Sequence, residues 1–280
     1  MQTLKEFYAQ RPTATLYHYS DAAGTLGILG GKSFWATHIR YLNDSKEFAH
    51  ANKLASNYVN EKLKTTQDDN ERRVYEHLLA RLEIMPGNNF IVSLSERGDL
   101  LSQWRGYCPR GGMSIGLNPT VLGSLADQQL FTFVRCSYDR QEQINLVQEL
   151  IDNTVQEYKA SHWLYADGAD KYTEASNFCG HHFFPKMHRL GSAMKDPAFS
   201  EECEWRLIGG LKKSNREVKF RAKGSVIIPY QSFDLGEKVR DLLTEVIIGP
   251  SSQQGLSREG LDRFLLAIQV AEASNHFPTK

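Results

Sequence analysis

Residues 201–206 read Glu-Glu-Cys-Glu-Trp-Arg, and they place two carboxylates two residues apart at the start of an apolar, β-prone run. Two other stretches also place polar residues at one end of a β-prone run. They are Leu16-Tyr17-His18-Tyr19-Ser20 and Ser93-Leu94-Ser95, and each ends a run that is rich in β-formers. A polar residue that ends a strand points into the cleft above a sheet, whereas the apolar residues behind it are fixed in the core. We therefore expect the chemistry of this protein at these three stretches.

Runs of the β type recur along the chain, and amphipathic stretches with helical spacing lie between them. The strands are predicted at Thr13 to Tyr19, Ser33 to Thr37, Asn89 to Leu94, Gly112 to Leu117, Leu130 to Ser137, Trp205 to Gly210, Val218 to Ala222, Ser225 to Tyr230 and Glu245 to Gly249. The helices are predicted around residues 48–58, 74–82, 144–158 and 261–268. Because strands and helices do not alternate strictly, the pattern favours an α+β fold over a doubly wound parallel sheet. No repeat or long Pro/Gly linker divides the chain, so we expect a single domain over residues 1–280.

The charge balance, the length of apolar runs and the cysteine spacing indicate the compartment and the kinds of partner to expect. Basic and acidic residues both number 33, so the formal net charge is zero and no overall electrostatic field attracts the chain to nucleic acid or to an anionic membrane. A zero net charge does not exclude local basic patches. No apolar run approaches the roughly 18 residues of a membrane span, and the first residues lack the apolar region of a signal peptide. The cysteines have no paired spacing, which favours free thiols in a reducing compartment. We expect a cytoplasmic protein with no membrane partner.

Several common chemistries lose support because their motifs are absent from the sequence. There is no P-loop, no Gly-x-Ser-x-Gly elbow and no His-Glu-x-x-His helix, and the glycines of residues 24–31 have the wrong spacing for a dinucleotide fingerprint. Cys179, His181, His182 and His188 are clustered in the sequence. A zinc site needs four donors with regular spacing, and adjacent histidines on one element point in different directions. We expect polar packing there and no metal.

Longer blocks of the sequence resemble a known family. They include Leu16-Tyr17-His18-Tyr19, then Ser102-Gln103-Trp104-Arg105-Gly106-Tyr107, then the run from Lys195 to Arg206, and finally Val246-Ile247-Ile248-Gly249-Pro250. These blocks resemble domain of unknown function 2971, a widespread bacterial family, and the resemblance extends over nearly the whole chain. It indicates a family without indicating an activity.

The order and type of the polar residues resemble, more distantly, the ADP-ribosyltransferase superfamily. That resemblance implies mixed, mostly antiparallel sheets around a cleft, with flanking helices, and NAD as a substrate without a metal. It implies that His18 hydrogen-bonds the ribose beside nicotinamide and that Ser93 and Ser95 shape the cofactor pocket. It further implies that Glu204 stabilises the oxocarbenium ion as nicotinamide leaves and that Glu202 orients the acceptor. The acceptor stays open, because His18 stands where arginine is common and a clear Gly-x-Tyr-Phe strand is missing.

The physics of the reaction fits these residue types. Breaking the bond from ribose to a pyridinium yields a cationic centre, and a carboxylate held beside it in a water-poor cleft is worth far more than in bulk solvent. On an extended segment Glu202 and Glu204 face the same side, about 6.6–6.8 Å apart along the strand. One carboxylate can then contact the ribose while the other reaches the incoming nucleophile.

Five more residues are predicted to bind the cofactor: Tyr17, Tyr19, Trp104, Tyr107 and Arg206. Trp104 and Tyr107 are three residues apart on a predicted short helix, where aromatic rings can stack on nicotinamide or adenine. Trp104 can equally be an apolar anchor that packs this helix onto the sheet.

Plainer interpretations remain open for each motif. His18 can be a satisfied core histidine, the serines can be solvent-facing strand positions, and the two glutamates can be surface carboxylates paired with Arg206 or Lys195.

Three functional hypotheses follow from the motifs and the resemblance. The first is an NAD-dependent ADP-ribosyltransferase or NAD glycohydrolase, for which the resemblance implies a bacterial toxin or phage-defence effector with an unidentified macromolecular acceptor. The second is a non-catalytic nucleotide-binding sensor module. The third is a glycoside or nucleoside hydrolase that uses the carboxylate pair.

Overall fold

The computed structural model describes residues 2–42, 45–82, 87–161, 171–210 and 217–268. The helices within these residues are α1 (Leu4–Ala9), α2 (Ala22–Gly30), α3 (Ser45–Thr65), α4 (Asp69–Leu82), α5 (Leu101–Tyr107), α6 (Pro119–Gln128), α7 (Arg140–Ser161), α8 (Lys171–His182), α9 (Phe184–Gly191), α10 (Val239–Leu242) and α11 (Gln254–Ala267). The strands are β1 (Leu16–Ser20), β2 (Ser33–His38), β3 (Asn89–Ser95), β4 (Met113–Leu117), β5 (Thr132–Arg135), β6 (Glu204–Gly210), β7 (Lys219–Lys223), β8 (Val226–Asp234) and β9 (Leu243–Ile248).

Every strand predicted from the sequence overlaps one of these strands, and every predicted helix overlaps one of these helices. The mixed α+β class and the antiparallel sheet are therefore confirmed. None of the helices in the described residues is both long and apolar enough to cross a membrane.

The chain divides into two compact units, each built from three separate segments. The first unit contains Met1–Ala9, Ile39–Asn89 and Ser137–Phe199, and its helices are α1, α3, α4, α7, α8 and α9. Its apolar side chains recur at helical spacing, as Val74 and Leu78 do on α4 and Val147 and Ile151 do on α7, and these four are almost completely buried. Helix α3 packs against both α4 and α7.

The expectation of a single domain over residues 1–280 stays a prediction.

The second unit contains Gln10–His38, Phe90–Cys136 and Ser200–Lys280, and it holds the sheet. The strand order is β7-β8-β2-β3-β1-β4-β9, and β6 pairs with both β3 and β5. The main core is formed by strand side chains such as Leu16, Phe34 and Leu207, together with apolar residues of α2, α6 and α11. Burial of this apolar area is the main stabilising term of the unit.

Strand β3 is the branch point of the sheet, because it pairs with β2, with β1 and with β6. Its early residues pair with β2, as His38 does with Phe90, whereas its pairing with β1 is confined to Tyr17 opposite Ser95. Continuing that antiparallel register would place Tyr19 opposite Ser93, but no such pair forms. The two strands therefore separate, and the polar ends of β1, β3 and β6 meet near the separation.

Candidate functional site

A pocket in the sheet unit gathers most of the residues predicted from the sequence. Eight of the ten predicted site residues line it, and the full lining is Tyr17, His18, Tyr19, Ser93, Leu94, Ser95, Gln103, Tyr107, Glu202 and Glu204. Its cavity volume is about 40 Å³. This is room for about one or two water molecules, so a nucleotide enters only if lining side chains move outward.

His18 reaches from β1 into the separation between the strands. Its Nδ1 atom lies 2.9 Å from the carbonyl oxygen of Ser93 on β3. Its ring also packs edge-on against Phe34, with ring centroids 5.0 Å apart. A side chain therefore bonds to a main-chain oxygen at the point where the β1–β3 ladder has stopped.

The protonation state of His18 follows from this contact. A carbonyl oxygen only accepts hydrogen bonds, so Nδ1 carries the proton and donates it to Ser93. Burial lowers the pKa of His18, while the bond to Ser93 acts in the opposite direction. The neutral ring leaves Nε2 unprotonated, and Nε2 can accept a hydrogen bond from a ligand hydroxyl.

The end of β3 holds the segment that carries the two glutamates. The Ser95 hydroxyl donates to the carbonyl oxygen of Glu202 at 2.6 Å, and it accepts a bond from the main-chain N–H of Arg97. The N–H of Glu96 donates to the carbonyl of Cys203, and the Trp205 indole donates to the Glu96 carboxylate at 2.8 Å. Ser95 thus positions the carboxylate segment, and its one donor proton is already used.

The glutamate segment is not extended as the sequence predicted, and that expectation is wrong. Glu202 ends a 3₁₀ turn over Pro197–Glu202, and Glu204 is the first residue of β6. Between them Cys203 has a φ of 43°, in the left-handed region that side chains other than glycine rarely adopt. The strand spacing of about 6.6–6.8 Å therefore does not describe this pair. Both side chains still line the same pocket.

Glu204 is held by an ion pair with Arg206, two residues along the same strand. The arginine Nε donates to Oε1 of Glu204 at 2.7 Å, and a terminal nitrogen donates to Oε2 at 3.1 Å. Both residues are buried. A two-point contact of this kind fixes the plane of the carboxylate. Arg206 does not line the pocket and instead orients Glu204, so its contact with a cofactor stays a prediction.

The two tyrosines of β1 have fixed hydroxyl groups. The Tyr17 hydroxyl donates to Glu245 at 2.7 Å, and the Tyr19 hydroxyl donates to the carbonyl of Arg97 at 2.6 Å. Tyr19 also accepts a bond from the N–H of Leu100. Burial raises the pKa of each phenol to about 12. Both groups therefore stay protonated at neutral pH, and they shape the pocket wall.

Trp104 lies outside the pocket lining. Its ring is buried against Tyr19, with centroids 4.7 Å apart, and its indole N–H donates to Asp99 at 2.6 Å. A Cβ at Gly249 would come within 2.7 Å of the same ring. Trp104 thus anchors α5 on the sheet, which is the alternative that the sequence left open.

Gln103 and Leu94 also line the pocket, although neither was predicted from the sequence. Gln103 and Tyr107 are four residues apart on α5, and this spacing places them on one face of the helix, whereas Trp104 is turned to another face. The i, i+4 spacing from Tyr107, which was predicted at the site, could have indicated Gln103 from the sequence. Leu94 has no comparable signal, since an apolar residue between two serines is usual in a strand.

The histidines near Cys179 make contacts with aromatic rings. His182 stacks on Phe178 with ring centroids 4.4 Å apart, and His188 lies edge-on to Phe48 at 5.5 Å. In the described ranges no group of three or more His, Cys, Asp or Glu side chains is arranged to hold a metal ion.

Comparison with known proteins finds a family model that matches part of the chain. The model of the family described as "Protein of unknown function (DUF2971)" matches residues 103–207. The matched segment runs from Gln103 on α5 to Leu207 on β6, and it includes Glu202, Glu204 and Arg206. The resemblance to this family is therefore confirmed over that segment. No curated protein and no solved structure matches the chain.

Proposed function

We propose that this protein cleaves NAD at the bond between nicotinamide and ribose, and that it transfers ADP-ribose to a macromolecule or to water. The observation that carries the proposal is the meeting of His18, Ser93, Glu202 and Glu204 in one pocket, although they come from three distant parts of the chain. We also propose that the antiparallel sheet is an ADP-ribosyltransferase-like fold, with the β1–β3 separation as its cofactor cleft. Action as a bacterial toxin or phage-defence effector belongs to the same proposal.

The chemical step needs a group that stabilises positive charge. The bond from the ribose anomeric carbon to the pyridinium nitrogen breaks, and its electron pair neutralises the departing nicotinamide. The ribose becomes an oxocarbenium ion, and the Glu204 carboxylate stabilises that charge in a site with little water. An acceptor nucleophile or water then bonds to the anomeric carbon and loses a proton, for which the Glu202 carboxylate is the nearby base.

The surrounding residues hold these groups in place. Nε2 of neutral His18 accepts a hydrogen bond from a ribose hydroxyl, while Arg206 fixes the plane of the Glu204 carboxylate. Ser95 fixes the main chain of Glu202. Pre-organised groups of this kind do not have to reorient when the charge develops, and this is the source of their effect on rate.

A non-catalytic nucleotide sensor is the second candidate. It is favoured by the bidentate contact of Arg206 with Glu204, because this contact offsets part of the charge that catalysis would use. A sensor binds NAD or a related nucleotide with no release of nicotinamide. The glycoside or nucleoside hydrolase stays a third hypothesis, and it predicts turnover of a sugar substrate in the absence of NAD.

The test measures free nicotinamide after the purified protein is incubated with NAD, with and without candidate acceptors. Wild type should release nicotinamide, and Glu204→Gln should lower the rate by about 10²–10³-fold, the usual effect of losing one charge-stabilising group. Binding of NAD is measured in parallel by calorimetry. Binding without release by wild type indicates the sensor, and equal release by the variant removes Glu204 from the mechanism.

Glu204→Gln also removes a charge partner of the buried Arg206, and breaking a buried ion pair typically destabilises a protein by about 3–5 kcal/mol. Glu204→Asp is therefore the matched variant, because it keeps the negative charge but withdraws the carboxylate by one methylene. It should remain folded and still lose most of the activity. Thermal unfolding of both variants separates loss of chemistry from loss of fold.

A further inference from the structure

A basic and aromatic surface lies on β2, β8 and the edge strand β7, outside the pocket. Strand β7 reads Lys219-Phe220-Arg221-Ala222-Lys223, so its three cations alternate with smaller or apolar residues. Residues i, i+2 and i+4 of a strand share one face. Lys219, Arg221 and Lys223 therefore form a row along one face of the edge strand, and both lysines are exposed.

Two aromatic residues share this face with the cations. Lys219 pairs with Tyr230 across β7 and β8, and Tyr230 pairs with Thr37 across β8 and β2, which places Trp35 on the same face. The rings of Trp35 and Tyr230 lie 4.9 Å apart between centroids, at an angle of 31°. Trp35 is 46% exposed, which is unusual for so large an apolar side chain.

Arg221 joins the cations to the aromatic rings. Its guanidinium lies over the Trp35 ring at 5.6 Å, and a terminal nitrogen donates to the Thr37 hydroxyl at 2.9 Å. Its Nε atom is buried without a hydrogen-bond partner among the described residues. Burial lowers the pKa of Arg221, although an arginine stays charged at neutral pH. A fixed planar cation beside an exposed indole makes a surface on which a flat ring can stack.

The local charge contrasts with that of the whole chain. Residues 212–223 contain six basic side chains and one acidic side chain, whereas the chain has a formal net charge of zero. Residues 212–216 of this run lie outside the described residues. Asp234 is on the same face of β8, but it lies at the opposite end of that strand from Val226 and Lys223. Within the described residues, the three cations of β7 therefore form a local basic row on this face.

The combination of cations and stacking rings selects one class of partner. An acidic peptide would use the cations but need not supply flat rings for stacking. An anionic membrane would take up exposed Trp and Tyr rings among its headgroups, but it offers no planar ring to stack on them. Double-stranded nucleic acid would offer phosphates while keeping its bases stacked inside the helix. A single strand offers both phosphates and unstacked bases, and proteins bind it with a basic track beside aromatic side chains.

We propose that the face formed by Lys219, Arg221, Lys223, Trp35 and Tyr230 binds single-stranded nucleic acid. The two lysines contact phosphates, and the group of Trp35, Arg221 and Tyr230 stacks a base. This surface does not depend on NAD cleavage, so its test is independent of the test of the proposed function.

The experiment measures fluorescence anisotropy of labelled single strands of mixed sequence, as DNA and as RNA, over a range of salt concentrations. Lys219→Ala/Lys223→Ala should reduce the slope of log affinity against log salt by about 1.4, because single strands lose about 0.7 per phosphate contact. Trp35→Ala should weaken binding about fivefold or more, as expected for one lost base stack. The proposal predicts that bound strand quenches Trp35 emission, and that this part of the quenching is absent in Trp35→Phe.

The matched control is Lys53→Ala/Lys64→Ala, which removes two exposed lysines from α3 with the same change in net charge. It should leave the salt slope and the affinity nearly unchanged, and thermal unfolding checks that every variant is folded. The proposal is overturned if the control pair weakens binding as much as the β7 pair does. It is also overturned if a duplex or phosphatidylserine vesicles bind more tightly than the single strand, or if wild type does not bind at low salt.

Discussion

The Nδ1 atom of His18 lies 2.9 Å from the main-chain oxygen of Ser93, where the ladder between β1 and β3 has ended. This contact has two consequences. It gives the Ser93 carbonyl a partner that the neighbouring strand does not provide, and it leaves Nε2 of the ring as an acceptor. The same imidazole thus has a structural role through one nitrogen and a proposed ligand-binding role through the other.

Two substitutions at His18 separate these roles. An asparagine amide can occupy the position of Nδ1 and donate to Ser93, but it has no group equivalent to Nε2. His18→Asn should therefore keep most of the stability and lose about tenfold or more in NAD cleavage, the order expected for one lost hydrogen bond. His18→Ala should lose both. Urea unfolding and nicotinamide release measure the two effects, and equal activity of wild type and His18→Asn would contradict the role of Nε2.

The Ser95 hydroxyl is predicted to stabilise the fold through the carboxylate segment. Ser95→Ala removes the donor to the Glu202 carbonyl and the acceptor for the Arg97 N–H, at a buried position. Leaving such groups unpaired should lower the free energy of unfolding by about 1–3 kcal/mol. Ser93→Ala is the matched control, because Ser93 is only half-buried, and its effect on stability should be within about 0.5 kcal/mol. Equal stabilities of the two variants in urea would argue against the contact.

The left-handed conformation of Cys203 predicts an unusual order of stabilities. With a φ of 43°, this position suits glycine and penalises a β-branched side chain. The free energy of unfolding of Cys203→Val should be lower than that of wild type by about 1–2 kcal/mol. The free energy of unfolding of Cys203→Gly should be no more than about 0.5 kcal/mol below that of wild type. Thermal unfolding gives this order directly. A valine variant as stable as the glycine variant would mean that the segment is extended in solution.

The helical unit should lose stability in mild acid through His188. Burial lowers the pKa of His188 to about 4, from an ordinary value of 6.5, and its Nε2 has no hydrogen-bond partner among the described residues. Between these two pH values the unfolded chain binds a proton that the folded chain does not. The free energy of unfolding therefore falls as the pH is lowered through this window, by up to about 3 kcal/mol. Above the window this loss is absent.

His188→Leu isolates that contribution, because the pKa values of His18 and His77 are also lowered by burial. Urea unfolding at a series of pH values should show a smaller fall in stability for His188→Leu than for wild type. The matched control is His181→Leu, at an exposed position of α8. Parallel pH profiles for wild type and His188→Leu would show that this ring is solvated in the folded state.

Much of the sheet could be predicted from sequence, because its strands are short runs of aromatic and β-branched residues with polar residues at their ends. The same polar ends predicted where His18, Ser95 and Glu204 would lie.

Helix α6 was not predicted, although Asn118 and Pro119 form a common start signal for a helix. The Asn118 side chain accepts bonds from two N–H groups of the first turn.

Other features of the site depend on tertiary contacts that no local pattern encodes. The left-handed turn at Cys203 is held on either side by the bonds that Ser95 and Glu96 make to the main-chain oxygens of Glu202 and Cys203. The pairing of Arg206 with Glu204 depends on burial of both side chains against the rest of the sheet unit. Trp104 was ambiguous because an aromatic residue beside a site has the same local pattern whether it stacks on a ligand or packs in the core.

The structure of the wild-type protein bound to a non-hydrolysable NAD analogue tests the central claim most directly. We predict that the ribose beside nicotinamide lies within about 2.6–3.2 Å of both His18 Nε2 and the Glu204 carboxylate, with lining side chains displaced to admit it. An analogue bound elsewhere on the protein, or a ribose in the pocket beyond the reach of both groups, would contradict it.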